Sequence, residues 1–215
     1  MERRSALKNI GLIMGYTITA STLLDVLKSC EQKSSYGDWK PRYFTRDQGY
    51  ALSQLVDVIL PKTDTPSATE VNVHIFIDEM MDKVLPIERQ IFLRKIMEIF
   101  MEKTLFSSKK DSLLELDGSD FVPLLDKYLA IQTNQEQKKI EQATNEYLIE
   151  IDRTGLDEDI ACFNFAQQIR SMAIFAYKSS EHVGEKILAY LPIPGEYIPC
   201  GNVKEFTGGK AWSIG

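Results

Sequence analysis

The sequence predicts an all-α protein: a single helical-bundle domain with an extended C-terminal arm. Three observations carry that prediction. Apolar residues recur at helical spacing through most of the chain, strand-type alternation is nearly absent, and no repeat or linker divides the body. With 215 residues and 44% hydrophobic content, the chain can bury one core and carry a tail.

The chain opens with "MERRSALKNIGLIMGYTITASTLLDVLKSC". A basic start precedes a mildly apolar run from Ile10 to Leu24, which is the logic of an export signal. Arg3 and Arg4, followed by Leu7 and Lys8, resemble the twin-arginine signal, with Glu2 and Ala6 departing from its usual residues. Leu27-Lys28-Ser29-Cys30 resembles a lipobox with Cys30 as the acylated residue; the other reading is an ordinary amphipathic N-terminal helix. Residues 1–29 are thus read as the signal segment and 30–40 as a polar tether. Without residues 1–29 the chain loses four basic and two acidic side chains, leaving 21 basic, 29 acidic and a net charge of −8.

The helical domain is expected over 41–191. Asp47 can cap a helix from Gln48 to Leu60, with Leu52, Leu55, Val56 and Ile59 on one face and Pro61 as the stop. The knot Pro61, Thr63, Asp64, Thr65, Pro66 follows. It reads as a stiff turn in which Asp64 bonds backbone amides and Thr65-Pro66 opens the next helix. Val73, Phe76, Ile77, Met80, Met81 and Val84 then mark an amphipathic helix capped by Asn72. A helix with Pro86 near its start runs to about Leu105 and turns Ile91, Phe92, Ile96, Ile99 and Phe100 inward, and "SSKKD" forms a loop. Ser119 caps a shorter helix. A long one follows, with Ile140, Ala143, Tyr147, Leu148 and Ile151 inward, broken at Gly155. The segment Ile160 to Lys178 is the most apolar of the body and reads as the central helix. A short helix over Glu181 to Tyr190 precedes the arm, 192–215, which is too apolar for a disordered end.

Composition narrows the chemistry. A net charge of −6 and scattered Lys and Arg give no nucleic-acid footprint. Two histidines, His74 and His182, supply poorly both His-rich metal sites and Ser-His-Asp hydrolysis. No dinucleotide fingerprint occurs, so the chain is not expected to bind FAD or NAD by itself, and "TGGK" at Thr207–Lys210 lacks phosphate-loop spacing. Asp57, Asp64, His74 and Asp78 form the one acid/base or metal candidate. His74 and Asp78 stand at i,i+4, but the pattern favours a solvated face opposite Phe76 and Met80, and no metal is assigned. Cys162 and Cys200 are either a disulfide or separate thiols, with separate thiols favoured. Tyr190, Tyr197, Phe206 and Trp212 are either partner-interface anchors or a seal on the chain's own core.

Four stretches together resemble the gluconate 2-dehydrogenase subunit 3 family. They are "RRSALKNIG", "LVDVILPKTDTPSATEVNVHIFID", "FAQQIRSMAIFAYKSSEHVGE" and "YLPIPGEYIPCGNVKEFTGGKAWS". Ser67 stands where the family usually has Gly. The resemblance implies a non-catalytic small subunit that carries the twin-arginine signal and is exported to the periplasm; the lipobox reading of Cys30 adds a membrane anchor there. Its implied partner is a flavin-dependent dehydrogenase of the glucose-methanol-choline type, which would carry the FAD, often with a cytochrome c subunit. No gluconate substrate follows from it. Two other readings stay open: a stand-alone periplasmic lipoprotein binding module, and a metal-dependent enzyme using Asp64, His74 and Asp78.

Overall fold

The structure is a computed structural model that describes residues 39–130, 134–149, 155–191, 193, 195 and 200–213. Arg3, Arg4, Leu7, Lys8, Cys30 and Tyr197 lie outside the described residues. Thr45 opens the first helix, α1 (Arg46–Ile59). Its hydroxyl accepts the Gln48 N–H at 3.2 Å, and the Gln48 side chain accepts the Thr45 N–H at 3.0 Å. This reciprocal box satisfies two otherwise orphaned donors, which moves the cap two residues ahead of Asp47. Asp47 falls in the first turn, where its charge complements the helix dipole. Leu52, Leu55 and Val56 are buried, and the helix ends at Ile59, just before Pro61.

No helix begins at Thr65-Pro66. A 3₁₀ turn, Thr69–Val71, intervenes, and α2 (Val73–Lys83) starts after Asn72. Asn72 holds the N-cap position in the left-handed conformation (φ 61°) and makes no side-chain cap bond. Asn tolerates that conformation better than most residues, so it serves as a corner rather than as a capping side chain.

α3 (Ile87–Ser108) follows directly on Pro86, its N-cap residue, and takes in the two serines assigned to the following loop. Phe92, Ile96 and Phe100 are buried with Leu93, Met97 and Met101, whereas Ile91 is 51% exposed. The buried stripe is therefore rotated toward the 93-97-101 row.

In α4 (Gly118–Leu129) the cap is Asp117, not Ser119. Both the N–H and the hydroxyl of Ser119 donate to Asp117, and the Asp120 carboxylate closes the box. In α5 (Asn134–Ile149), Ile140 and Ala143 are half-buried; Tyr147, Leu148 and Ile151 lie outside what is described of the side chains.

α6 (Glu158–Ser179) is capped by Asp157 and packs against α1, α2, α3, α4 and α5, the central position its composition predicts. Its inward face alternates small and large residues: Ala161, Phe165, Ala166, Ile169, Ala173 and Ala176 are buried. The small ones let neighbouring helices approach, and Phe165 fills the gap beside Phe100, ring centres 4.8 Å apart. The outer face carries Phe175, 51% exposed. The fold is all-α, with the core between α6 and the helices around it.

Beyond a π-type turn at Val183–Ile187, the arm includes a helical turn, α7 (Val203–Thr207). Asn202 caps it. Gly208 and Gly209, at φ 64° and 86°, close it with bonds to the Lys204 and Val203 carbonyls. The chain then returns beside Ala189: Ala189 N–H donates to Ala211 O and Ser213 N–H to Ala189 O, each at 2.9 Å.

Candidate functional site

The turn between α1 and α2 is built from side chains on three elements. Asp57, on the last part of α1, accepts the Thr69 N–H at 2.8 Å and the Thr69 hydroxyl at 2.6 Å. Ser67 N–H donates to Glu70 at 2.9 Å, and Glu70 also pairs with Lys62. Thr63 and Thr65 bond each other through backbone and hydroxyl groups. From α6, the Tyr177 hydroxyl donates to Pro66 O at 2.8 Å.

Asp64 is exposed and enters none of these bonds. The role expected of it, holding turn amides, belongs to Asp57. The reason is position: half-buried Asp57 at the end of α1 reaches Thr69 where the chain turns back toward α2, while Asp64 is exposed within the turn.

The larger departure concerns His74 and Asp78, expected on a solvated face. They are 3% and 0% exposed, while Phe76 is 37% exposed. The Asp78 carboxylate takes three backbone donors from the segment leading into α1. Arg42 N–H lies at 2.8 Å, Tyr43 N–H at 3.0 Å and Phe44 N–H at 3.1 Å. A buried carboxylate is tolerable when its lone pairs are filled in this way.

Tyr43 continues the clamp. Its hydroxyl donates to Gln90 O, and Arg94 stacks 4.4 Å over its ring while donating to Tyr43 O at 3.3 Å. Burial raises the Tyr43 pKa. Burial also lowers the His74 pKa to about 4, against the opposing pull of the Asp57 and Asp78 charges.

Half-buried Asp57 and buried Asp78 therefore both lie close enough to His74 for their charges to act on it, whereas Asp64 is exposed. Among the described residues no group of three or more His, Cys, Asp or Glu is placed to hold a metal ion. Cys162 is a buried thiol on α6, its pKa raised by burial, and Cys200 is an exposed thiol in the arm; no bond joins them. Tyr190, Phe206 and Trp212 are 43%, 46% and 50% exposed.

One polar junction gives no motif in the sequence. Asp159, at the start of α6, accepts from the Tyr128 hydroxyl (2.6 Å), Lys103 (2.9 Å) and Lys127 (3.0 Å). It joins α3, α4 and α6, and these donors hold its pKa well below the usual carboxylate range. Its partners come from 31 to 56 residues away, a separation no local pattern encodes.

The family model for gluconate 2-dehydrogenase subunit 3 matches residues 46–195, from the start of α1 to the beginning of the arm. The chain belongs to the gluconate 2-dehydrogenase subunit 3 family. The match spans the turn, the buried Asp78 and the central helix of this subunit-3 protein. The family's name makes it a subunit of a dehydrogenase complex and implies association with other subunits. No curated protein and no solved structure matches the chain. Among the described residues no helix is long and apolar enough to cross a membrane.

Proposed function

We propose that this subunit-3 protein is a non-catalytic escort of an exported flavin-dependent dehydrogenase of the glucose-methanol-choline type, aiding its folding, export and assembly. The observation that carries the reading is the use made of the acidic residues around the turn. Asp57 and Asp78 hold backbone amides, and Asp64 is exposed and takes no part in the turn's bonds among the described residues. Side chains committed to positioning the chain support a structural subunit. FAD belongs to the partner in this reading, and a cytochrome c subunit completes the complex. Export follows Arg3, Arg4, Leu7 and Lys8, delivery is to the periplasm, and Cys30 offers a lipid anchor. The arm, with Tyr190, Tyr197, Phe206 and Trp212, supplies the docking surface.

The test is purification of the tagged full-length chain from its native host. A yellow, flavin-bearing protein should co-elute in fixed stoichiometry. Recovery of a lone monomer with a lipid mass on Cys30 would instead establish a stand-alone lipoprotein. Replacing Arg3 and Arg4 together by Lys should retain the chain, and the flavoprotein with it, in the cytoplasm; normal export of that variant rules out the twin-arginine route.

A further inference from the structure

Two clefts flank the contact of α4 with α6, away from the turn. The larger, about 540 Å³, opens between α4, α5 and α6 and has Leu129, Ile140 and Phe163 in its wall. That volume falls within the roughly 300–1,000 Å³ typical of small-molecule sites. The second, about 390 Å³, lies against α1 and α4. Leu129, Ala130 and Arg170 line both, so Arg170 stands where the two meet.

Arg170 is half-buried. Its Nη2 donates to Gln167 Oε1 at 2.8 Å, and Gln167 Nε2 donates to Tyr128 O at 3.3 Å, so a short chain of bonds sets the guanidinium in place. None of the ion pairs among the described residues involves it. A guanidinium carries five N–H donors in a planar fork that matches a carboxylate. Among the described residues one neutral acceptor occupies one of them, in a protein whose net charge is negative.

We propose that the larger cleft binds a small monocarboxylic acid, with Arg170 holding the carboxylate and the Leu129-Ile140-Phe163 wall covering a short apolar body. The rim refines the class. Glu141, exposed, borders the larger cleft and disfavours a second negative charge there. Phosphate and dicarboxylates are accordingly poor ligands. The proposal goes beyond the subunit reading and does not depend on it.

The test is an NMR titration of the ¹⁵N-labelled full chain with sodium hexanoate, with hexanamide and inorganic phosphate as controls at matched ionic strength. Hexanoate should shift the amides of residues 163–170 saturably, and both controls should bind at least tenfold more weakly. Arg170→Gln should weaken hexanoate at least tenfold, with Arg170→Lys between. Equal binding of hexanamide, equal binding of phosphate, unchanged affinity in Arg170→Gln, or no saturable shift each overturns the site. Should Arg170→Gln fail to fold, the comparison of hexanoate with hexanamide on the unmodified chain decides. An N-acetylated peptide ending in leucine that binds more tightly than hexanoate overturns the assignment to a small acid.

Discussion

The Oδ1 atom of Asp78 accepts the backbone N–H of Tyr43 at 3.0 Å, from a residue 35 positions earlier in the chain. The same carboxylate holds the N–H groups of Arg42 and Phe44, and Tyr43 and Phe44 are themselves 6% and 5% exposed. One side chain thus fixes the path by which the polypeptide enters the bundle. The segment it holds also supplies the Tyr43 ring under Arg94, so α2, α3 and the entry segment are tied at one point.

Replacing Asp78 by Ala leaves buried backbone donors without an acceptor, each costing about 1–3 kcal/mol. Asp78→Ala should therefore lower stability by about 3 kcal/mol in urea unfolding, and Asp78→Asn, which keeps one acceptor oxygen, by less. A loss under about 1 kcal/mol would show that the entry segment is held by its apolar side chains and not by the carboxylate.

His74 makes stability depend on pH in a window set by its own shift. Its pKa falls from 6.5 to about 4 on folding, with burial as the main cause. Between those values the unfolded chain binds the proton and the folded chain does not, so stability is complete above about pH 6.5 and declines as pH falls toward 4. Lowering pH from 7.5 to 5 should remove on the order of 2 kcal/mol, measured by urea midpoints. His74→Gln should flatten that dependence; an equally steep profile in the variant would assign it to other groups.

The turn separates two aspartates that look alike in sequence. Asp57→Ala removes two hydrogen bonds to Thr69, one from a backbone amide, and should cost about 2 kcal/mol. Asp64→Ala touches none of the turn's bonds and should stay within about 0.5 kcal/mol. Tyr177→Phe, which deletes the hydroxyl bonded to Pro66 O, should cost about 1 kcal/mol. A reversed order for Asp57 and Asp64 would return Asp64 to the centre of the site.

What the sequence discloses here follows the range over which each feature is determined. Helix existence, the Pro61 stop and the central place of α6 depend on local periodicity and proline geometry, and these read directly. Caps were displaced by two residues because Thr45 and Asp117 compete with equally plausible neighbours, and the winner depends on which residue three positions on can close the box. The inward flank of α2 was the costlier ambiguity. Val73, Ile77 and Met81 are compatible with burying either Phe76 and Met80 or His74 and Asp78 beside them. Only the arrival of residues 42–44 gives Asp78 its donors and decides the matter. The Asp159 junction and the Arg170 cleft are tertiary throughout and leave no local trace.

The arm separates an interface from a core seal. Roughly half of each described tail aromatic is already open: Tyr190 43%, Phe206 46%, Trp212 50%. Their backbone is nonetheless fixed: Ala189 pairs with the strand-like segment at Ala211–Ser213, and Phe206 packs against Gly201 so closely that an added Cβ would come within 2.0 Å of its ring. Large, half-exposed rings on a held backbone lose little side-chain freedom when a partner covers them, which is how aromatic anchors gain affinity. Phe206→Ala and Trp212→Ala should then leave the melting temperature within about 2 °C, since exposed positions change stability by about 0.5 kcal/mol or less. The same variants should weaken retention of the flavoprotein by about 30-fold each if they are anchors worth about 2 kcal/mol. The opposite pattern, a melting point lowered by more than about 5 °C with the partner retained, would make these rings part of the chain's own packing. The two readings predict opposite signs in the same pair of measurements, so one comparison of stability with co-purification distinguishes them.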